Sequence, residues 1–292
     1  MIMKKLILTV IAAASVLAAS AWSQKGHDVT AYIAEKHLTP RTLAAVDSIL
    51  DGKSMVYWAN WLDNASHQLE MAYTKTWHYK NIDEGMAYAD APLNSKGDVV
   101  TAINGQIDVL ADPATTPQQA ALAMKILVHC MGDLHQPMHL GHLSDLGGNK
   151  TKMKFFDTPT NLHSIWDSRL VESAHKWSYT EWQQQIDRAT PAEQALIIEG
   201  TPDSWAAETF DIATRCYKYF RPGQKVMYNE IARWTPVIET QFLRGGLRLA
   251  HILNTIYAPD YSVRYTLPSL HVLSLLSISI LFAKYKNTKR YE

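Results

Sequence analysis

The stretch Thr116-Pro117-Gln-Gln-Ala-Ala121-Leu-Ala-Met124-Lys-Ile126-Leu127-Val128-His129-Cys130-Met131-Gly132-Asp133 decides the fold class. A capping hydroxyl stands before a proline whose fixed φ suits the first helical position. Apolar side chains then follow at helical spacing at Ala121, Met124, Ile126, Leu127 and Val128, so the segment reads as a helix. On that helix His129 and Asp133 are four residues apart and project from one face, a single turn from each other.

Working outward, further pairs of the same kind at Thr39-Pro40, Asp112-Pro113, Thr190-Pro191 and Thr201-Pro202 read as helix starts. Near the other end Leu247, Ala250, Ile252, Leu253 and Ile256 again keep helical spacing. The exception is Gly147-Gly148-Asn149 followed by alternating Lys152, Met153, Lys154 and Phe155, which reads as a short hairpin strand. The expected fold is therefore mainly α, a single helical domain with a short β-hairpin.

Both ends differ from this body. Lys4 and Lys5, an apolar run from Leu6 to Ala18 and the small-residue exit Ala19-Ser20-Ala21 have the parts of an export signal, so residues 1–21 read as a cleaved signal peptide. Cleavage there makes Trp22 the mature N-terminus, five residues before His27, and its free amine a candidate metal ligand. The expected location is the periplasm or the outside of the cell. Residues 22–258 read as one domain and 259–292 as a tail. Within the tail, Leu267 to Ala283 has no formally charged residue and is followed by Lys284, Lys286, Lys289 and Arg290. Two readings stay open for 267–283: an inner-membrane anchor with its basic end in the cytoplasm, or an amphipathic tail.

Lys plus Arg number 28 and so do Asp plus Glu, so nothing in the overall charge announces a nucleic-acid binder, and a polyanion would have to be held by local charge. Two cysteines, Cys130 and Cys216, exclude a disulfide scaffold and leave one bridge or two buried thiols open.

The chemistry lies in histidines and aspartates. His163 and Asp167 repeat the four-residue spacing of His129 and Asp133; His139 follows the helix-breaking Pro137, and His78 and Asp63 add to the set. Imidazole and carboxylate without thiolate suit zinc in a catalytic setting, where coordination positions are left open. One such site needs three protein ligands, and the number of candidates implies several metals.

These residues resemble the zinc-dependent, single-strand-specific nucleases, the S-one/P-one nuclease and 3′-nucleotidase family. The resemblance is carried by Trp22-x4-His27, Asp63-x14-His78, His129-x3-Asp133-x-His135-Gln-Pro-x-His139, Gly147-Gly-Asn149, Asn161-Leu-His163-x2-Trp166-Asp167, Trp205-Ala-x-Glu208 and Gly246-x-Arg248-Leu-Ala250. It implies a helical fold of the phospholipase C and trinuclear-zinc nuclease type, with three zinc ions in a cleft. Asp63, His78, His129 and Asp133 would hold the first, and His139, His163 and Asp167 the second. Trp22, through its amino nitrogen and carbonyl oxygen, would hold the third with His27 and Asp133, so that Asp133 bridges two metals.

The resemblance also implies an aromatic at Tyr79 that stacks on a base, Asn81 hydrogen-bonding the base edge, and Asn149 as a further substrate contact. Asp63 would orient the attacking hydroxide in metal-assisted hydrolysis of single-stranded DNA and RNA, or of 3′-nucleotides, to 5′-phosphorylated products. No obligate protein partner is implied. His135, between two ligands, reads as an orienter or packing residue, and His142 as a solvated loop histidine. The sequence departs from the family at Ser66, where Arg or Lys is frequent. Trp58-Ala59-Asn60 resembles the family's Trp-Ala-Asp more closely than Trp61-Leu62-Asp63 does, but the spacing to His78 selects Asp63. Two alternatives stand beside this reading: a zinc-dependent phospholipase C, and a non-catalytic exported zinc-binding protein.

Overall fold

Helix α4 (Pro117–Leu134) is the axis on which the rest is assembled. From Ile126 to Leu134 every residue is buried, the condition of a helix surrounded on all sides. A computed structural model describes Trp22 and residues 24–261 of the chain. Before α4 come α1 (Gln24–Lys36), α2 (Pro40–Ile49) and α3 (Val99–Ala111); after it come α5 (Tyr179–Ile186), α6 (Pro191–Ile198), α7 (Pro202–Tyr219) and the long α8 (Tyr228–Tyr257). Helix α4 packs against α3, α1 and α8, while α1 also lies against α8 and α5.

Helices α2, α4, α6 and α7 begin as their Thr-Pro pairs predict. Thr39, Thr116, Thr190 and Thr201 each accept a backbone N–H from the first turn, with proline just inside. Asp112-Pro113 does not start a helix. Asp112 caps the end of α3, and its carboxylate accepts the Ala114 N–H at 2.8 Å, turning the chain before α4. Asp is as competent in an Asx turn as at a helix start, and the pair alone does not distinguish them. The hairpin joins β1 (Lys152–Phe155) and β2 (Thr158–Asn161), and a third strand absent from the sequence reading, β3 (Lys225–Val226), adds in parallel to β1, giving the order β2-β1-β3.

Two apolar clusters result. One is built on α3, the C-terminal two-thirds of α4 and the C-terminal half of α8, with Ile103, Leu127, Met131 and Leu253 fully buried. The other is rich in tryptophan, with Trp22 and Trp182 against Phe242 and Trp166 against Trp234. His129 and Asp133 are interleaved with members of the first cluster, and His163 and Asp167 with members of the second, so the polar residues meet at the seam. Cys130 and Cys216 are free, buried thiols, one in each cluster. Among the described residues no helix is long and apolar enough to cross a membrane. The signal segment 1–21 and the apolar run 267–283 lie outside the described residues.

Candidate metal centre

His129 and Asp133 are completely buried on α4, and burying an unpaired charge there would cost several kcal/mol. The fold answers by converging other chelating groups on them. Asp133 Oδ2 lies 3.0 Å from His129 Nε2 and 3.0 Å from His78 Nδ1, while its Oδ1 lies 3.4 Å from His27 Nε2 and 3.3 Å from His139 Nδ1. Asp63, on the short turn Trp61–Ala65, reaches within 3.5 Å of His129 Nε2 and 3.8 Å of His78 Nδ1. On the far side His163 Nε2 is 3.0 Å from Asp167 Oδ2, and His139 Nε2 is 3.6 Å from Asp167 Oδ1. Asp167 sits in a single π-helical turn, Ile165–Arg169, a local widening that recurs at functional sites.

Ligand atoms of three residues come within 4.8 Å of one another in three groups: His27, His129 and Asp133; Asp63, His78 and His129; and His139, His163 and Asp167. Backbone carbonyls set the imidazole tautomers. His129 Nδ1 donates to the Ala59 carbonyl at 2.7 Å, His139 Nδ1 to that of His78 at 2.6 Å, and His163 Nδ1 to that of Gly147 at 2.7 Å. Each bond leaves the Nε2 lone pair free for a metal. The donor set also contains buried polar atoms without any hydrogen-bond partner: both nitrogens of His27, Nε2 of His78 and Oδ1 of Asp133. Buried polar atoms are rarely left unmatched. A divalent cation bound here would take up Asp133 Oδ1 and one nitrogen of His27, so the donor set fits a metal.

The electrostatics agree. Burial alone would raise the Asp133 carboxyl, but the charges of His129 and His139 and the hydrogen bond from His129 hold it well below the usual carboxylate range. Burial likewise works against the charged form of His129, yet Asp133 and Asp63 carry it up to about 9. The centre thus draws positive charge to itself, and metal uptake would replace that proton. His27, stacked on His129 with ring centroids 4.1 Å apart, is pushed the other way by burial and by the charge of His129. That stacking needs Gly132, because a Cβ there would stand 2.5 Å from His27 Nδ1.

Trp22 is buried against Phe242, with ring centroids 4.4 Å apart, just before the helix that carries His27. In the full-length chain its nitrogen belongs to a peptide bond, so the ligand role assigned to it concerns the processed chain. Asn60 stands apart from the three groups: its Nδ2 donates to Asp28 Oδ1 at 2.8 Å, while Asp63 belongs to one of them with His78 and His129. His135 also belongs to none of the groups. Its Nδ1 donates to the Met131 carbonyl at 2.8 Å and its Nε2 accepts from Arg248 at 3.1 Å, while burial and the Arg248 charge push it well down and keep it neutral. Arg248 also pairs with Glu208 at 2.6 Å, which gives the Trp205 and Gly246 motifs their use: they lock α7 and α8 to the end of α4. Gln136, unassigned in the sequence reading, donates to Asp167 and fixes that carboxylate.

The groups open into a cleft of about 490 Å³ lined by Asp63, His78, His139 and His163 together with Tyr79, Asn81 and Asn149. Asn64, Ser66, His67, Lys75 and Leu146 also line it, positions the sequence reading did not assign to the site. His142 is held away from the three groups, stacked on Tyr217 at 3.8 Å. Tyr217 in turn braces the glycine loop beside the site. Its hydroxyl donates to Asp145 Oδ1 at 2.8 Å and accepts the His142 N–H at 3.1 Å, and Asp145 accepts the Gly148 N–H at 2.8 Å. Gly147, at φ +62° and with its Cβ direction filled by the Met138 carbonyl, must be glycine there to offer its own carbonyl to His163. Tyr217→Phe is therefore expected to lower the affinity of the His139, His163 and Asp167 group for a divalent metal by about tenfold. The accompanying loss of stability should be only about 1 kcal/mol. Competition with a metal-sensing chelator measures the first and thermal unfolding the second; unchanged metal affinity would show that the loop holds His163 without this brace.

The family model described as S1/P1 Nuclease matches residues 22–258. Endonuclease 5 of Arabidopsis thaliana is 28% identical over 271 residues, covering 81% of this chain and 90% of that protein. Nuclease S1 of Aspergillus oryzae is 29% identical over 194 residues, with 63% and 67% covered, and Nuclease P1 of Penicillium citrinum is 24% identical over 275 residues, with 82% and 99% covered. The matched span begins at the buried tryptophan beside His27, contains every residue of the three His/Asp groups and ends as α8 ends, and on that match the chain belongs to the S1/P1 nuclease family and is a hydrolase acting on phosphodiester bonds.

Proposed function

We propose that this protein is an exported endonuclease that carries three zinc ions and cuts single-stranded DNA and RNA to 5′-phosphorylated products, with 3′-nucleotidase activity as well. The observation that carries the reading is the convergence of the three His/Asp groups on Asp133 at the foot of a cleft that also contains Tyr79. Export is supported by the signal-like residues 1–21 and by the family match beginning at Trp22. Asp63, His78, His129 and Asp133 would hold one zinc, His139, His163 and Asp167 a second, and the processed Trp22 terminus with His27 and Asp133 the third. Zinc bound there supplies Lewis acidity, making water nucleophilic near neutral pH and neutralising charge that gathers on the departing oxygen.

The chain's own part is to orient, to stack and to move a proton. Asp63 retains 20% side-chain exposure where Asp133 has none, so it is the carboxylate open to the cleft. It orients the attacking water and takes a proton from it at a carboxylate oxygen as the water oxygen bonds to phosphorus in line with the P–O3′ bond; the departing O3′ takes a proton from solvent, leaving a 3′ hydroxyl and a 5′ phosphate. Tyr79 offers a ring face to one unstacked base and Asn81 its amide to the base edge; a base freed from a duplex must first be unstacked, which favours unpaired strands. Elemental analysis of the processed protein is expected to give close to three zincs per chain, and a chelator should abolish cleavage of single-stranded DNA. A stoichiometry of one overturns the trinuclear reading even if cleavage persists.

A further inference from the structure

We propose that Lys75 holds the phosphate adjacent to the scissile one on the bound strand, an inference that rests on reading the cleft as a single-strand nuclease site. Among the described residues lining that cleft, Lys75 is the sole side chain with a permanent positive charge. It makes no ion pair with any described residue, although Glu70 lies on the same 3-10 segment, Leu69–Thr76. Four other lysines are committed elsewhere. Lys80 is buried and bound to Asp98 at 3.1 Å, Lys25 pairs with Glu172, Lys225 pairs with Asp157, and Lys125 lies 3.5 Å above the Trp58 ring.

The backbone beneath Lys75 is tied down. Thr74 is buried with its hydroxyl on the Met71 carbonyl, the Trp77 N–H returns to the Thr74 carbonyl at 2.8 Å, and the Trp77 ring nitrogen donates to the Lys96 carbonyl at 3.1 Å. The ammonium is thus presented from a fixed wall on a flexible stem. Beside it on that wall Ser66 is neutral and buried, its hydroxyl spent on the Asp63 carbonyl at 3.2 Å. Lys75 is exposed and lies outside the three chelating groups, which together form the place for the phosphate under attack. A hydrated ammonium on a mobile stem acts as a point charge suited to holding a polyanion, less to shaping charge at the reacting phosphorus. The next phosphate of the strand is the ligand that matches it, and for a chain with zero formal net charge this is the local cation that holds a strand at the cleft.

The test uses the processed, zinc-loaded protein, with Lys75→Met and Lys75→Arg as variants. The binding probe is a short fluorescein-labelled oligothymidylate with phosphorothioate linkages. Hydrolysis is compared between an oligothymidylate and thymidylyl-thymidine, which contains the scissile phosphate alone. For Lys75→Met the slope of log Kd against log salt should become shallower by about 0.7, with binding about fivefold weaker. The ratio of kcat/KM for the oligonucleotide to that for the dinucleotide should fall by about the same factor, and Lys75→Arg should restore both. An unchanged salt slope overturns the proposal, as does an equal loss on both substrates, which would put Lys75 on the scissile phosphate. If the unaltered protein cleaves neither substrate, the nuclease reading of the cleft fails, and the salt slope still decides whether Lys75 binds phosphate.

Discussion

Asp133→Asn is expected to empty two of the proposed zinc sites at once and to lower single-strand cleavage on the order of a thousandfold. Its two oxygens face different partners, Oδ1 toward His27 and Oδ2 toward His78 and His129, so one carboxylate serves both sides of the centre. An amide keeps the shape, but it loses the charge and presents one oxygen instead of two. His163→Ala, by contrast, should empty mainly the group it shares with His139 and Asp167. Metal analysis of the two variants separates these outcomes, and equal metal loss would argue against a bridging Asp133. Circular dichroism should stay helical in both, because the apolar clusters on either side of the seam are untouched.

The second large effect is expected from a single extra residue before Trp22. Adding methionine turns the proposed ligand amine into an amide, whose nitrogen lone pair is delocalised into the carbonyl and unavailable to a metal. The indole would still pack on Phe242, so the fold should survive. The zinc held by the terminus and His27 should be lost, and cleavage should drop about a hundredfold. Comparing exactly cleaved and methionine-extended protein by zinc content and by single-strand cleavage checks this; indistinguishable samples would reduce Trp22 to a core aromatic.

What could be read beforehand was whatever local chemistry dictates. Thr-Pro starts declare themselves because the cap hydroxyl and the proline ring act within one turn, as at Thr116 and Thr190. His129 with Asp133, and His163 with Asp167, follow from the helical repeat alone. Asp112-Pro113 has the sequence of a helix start and is a stop, since its carboxylate reaches the Ala114 N–H as readily as it could reach a helix N3. Strand β3 could not be read: two residues carry no periodicity, and its pairing with β1 joins positions some seventy residues apart. The same limit hid Gln136 on Asp167, the Tyr217 brace and Lys75 on the cleft wall. Each acquires its meaning from a neighbour distant in sequence, with no residue-type signal of its own.

The distances along the chain also govern timing. The three chelating groups draw on α1, on the turns carrying Asp63 and His78, on the last turns of α4 and on the π-helical turn at Asp167, so no short fragment contains a complete centre. Closing loops of this length around an ion is entropically unfavourable in an open chain and becomes cheap only after α1 and α4 have docked. On the proposed zinc-centre mechanism, hydrolytic power is expected to switch on late, once a polypeptide spanning His27 through Asp167 has finished collapsing, and a partly synthesised copy would be harmless to any nucleic acid it meets.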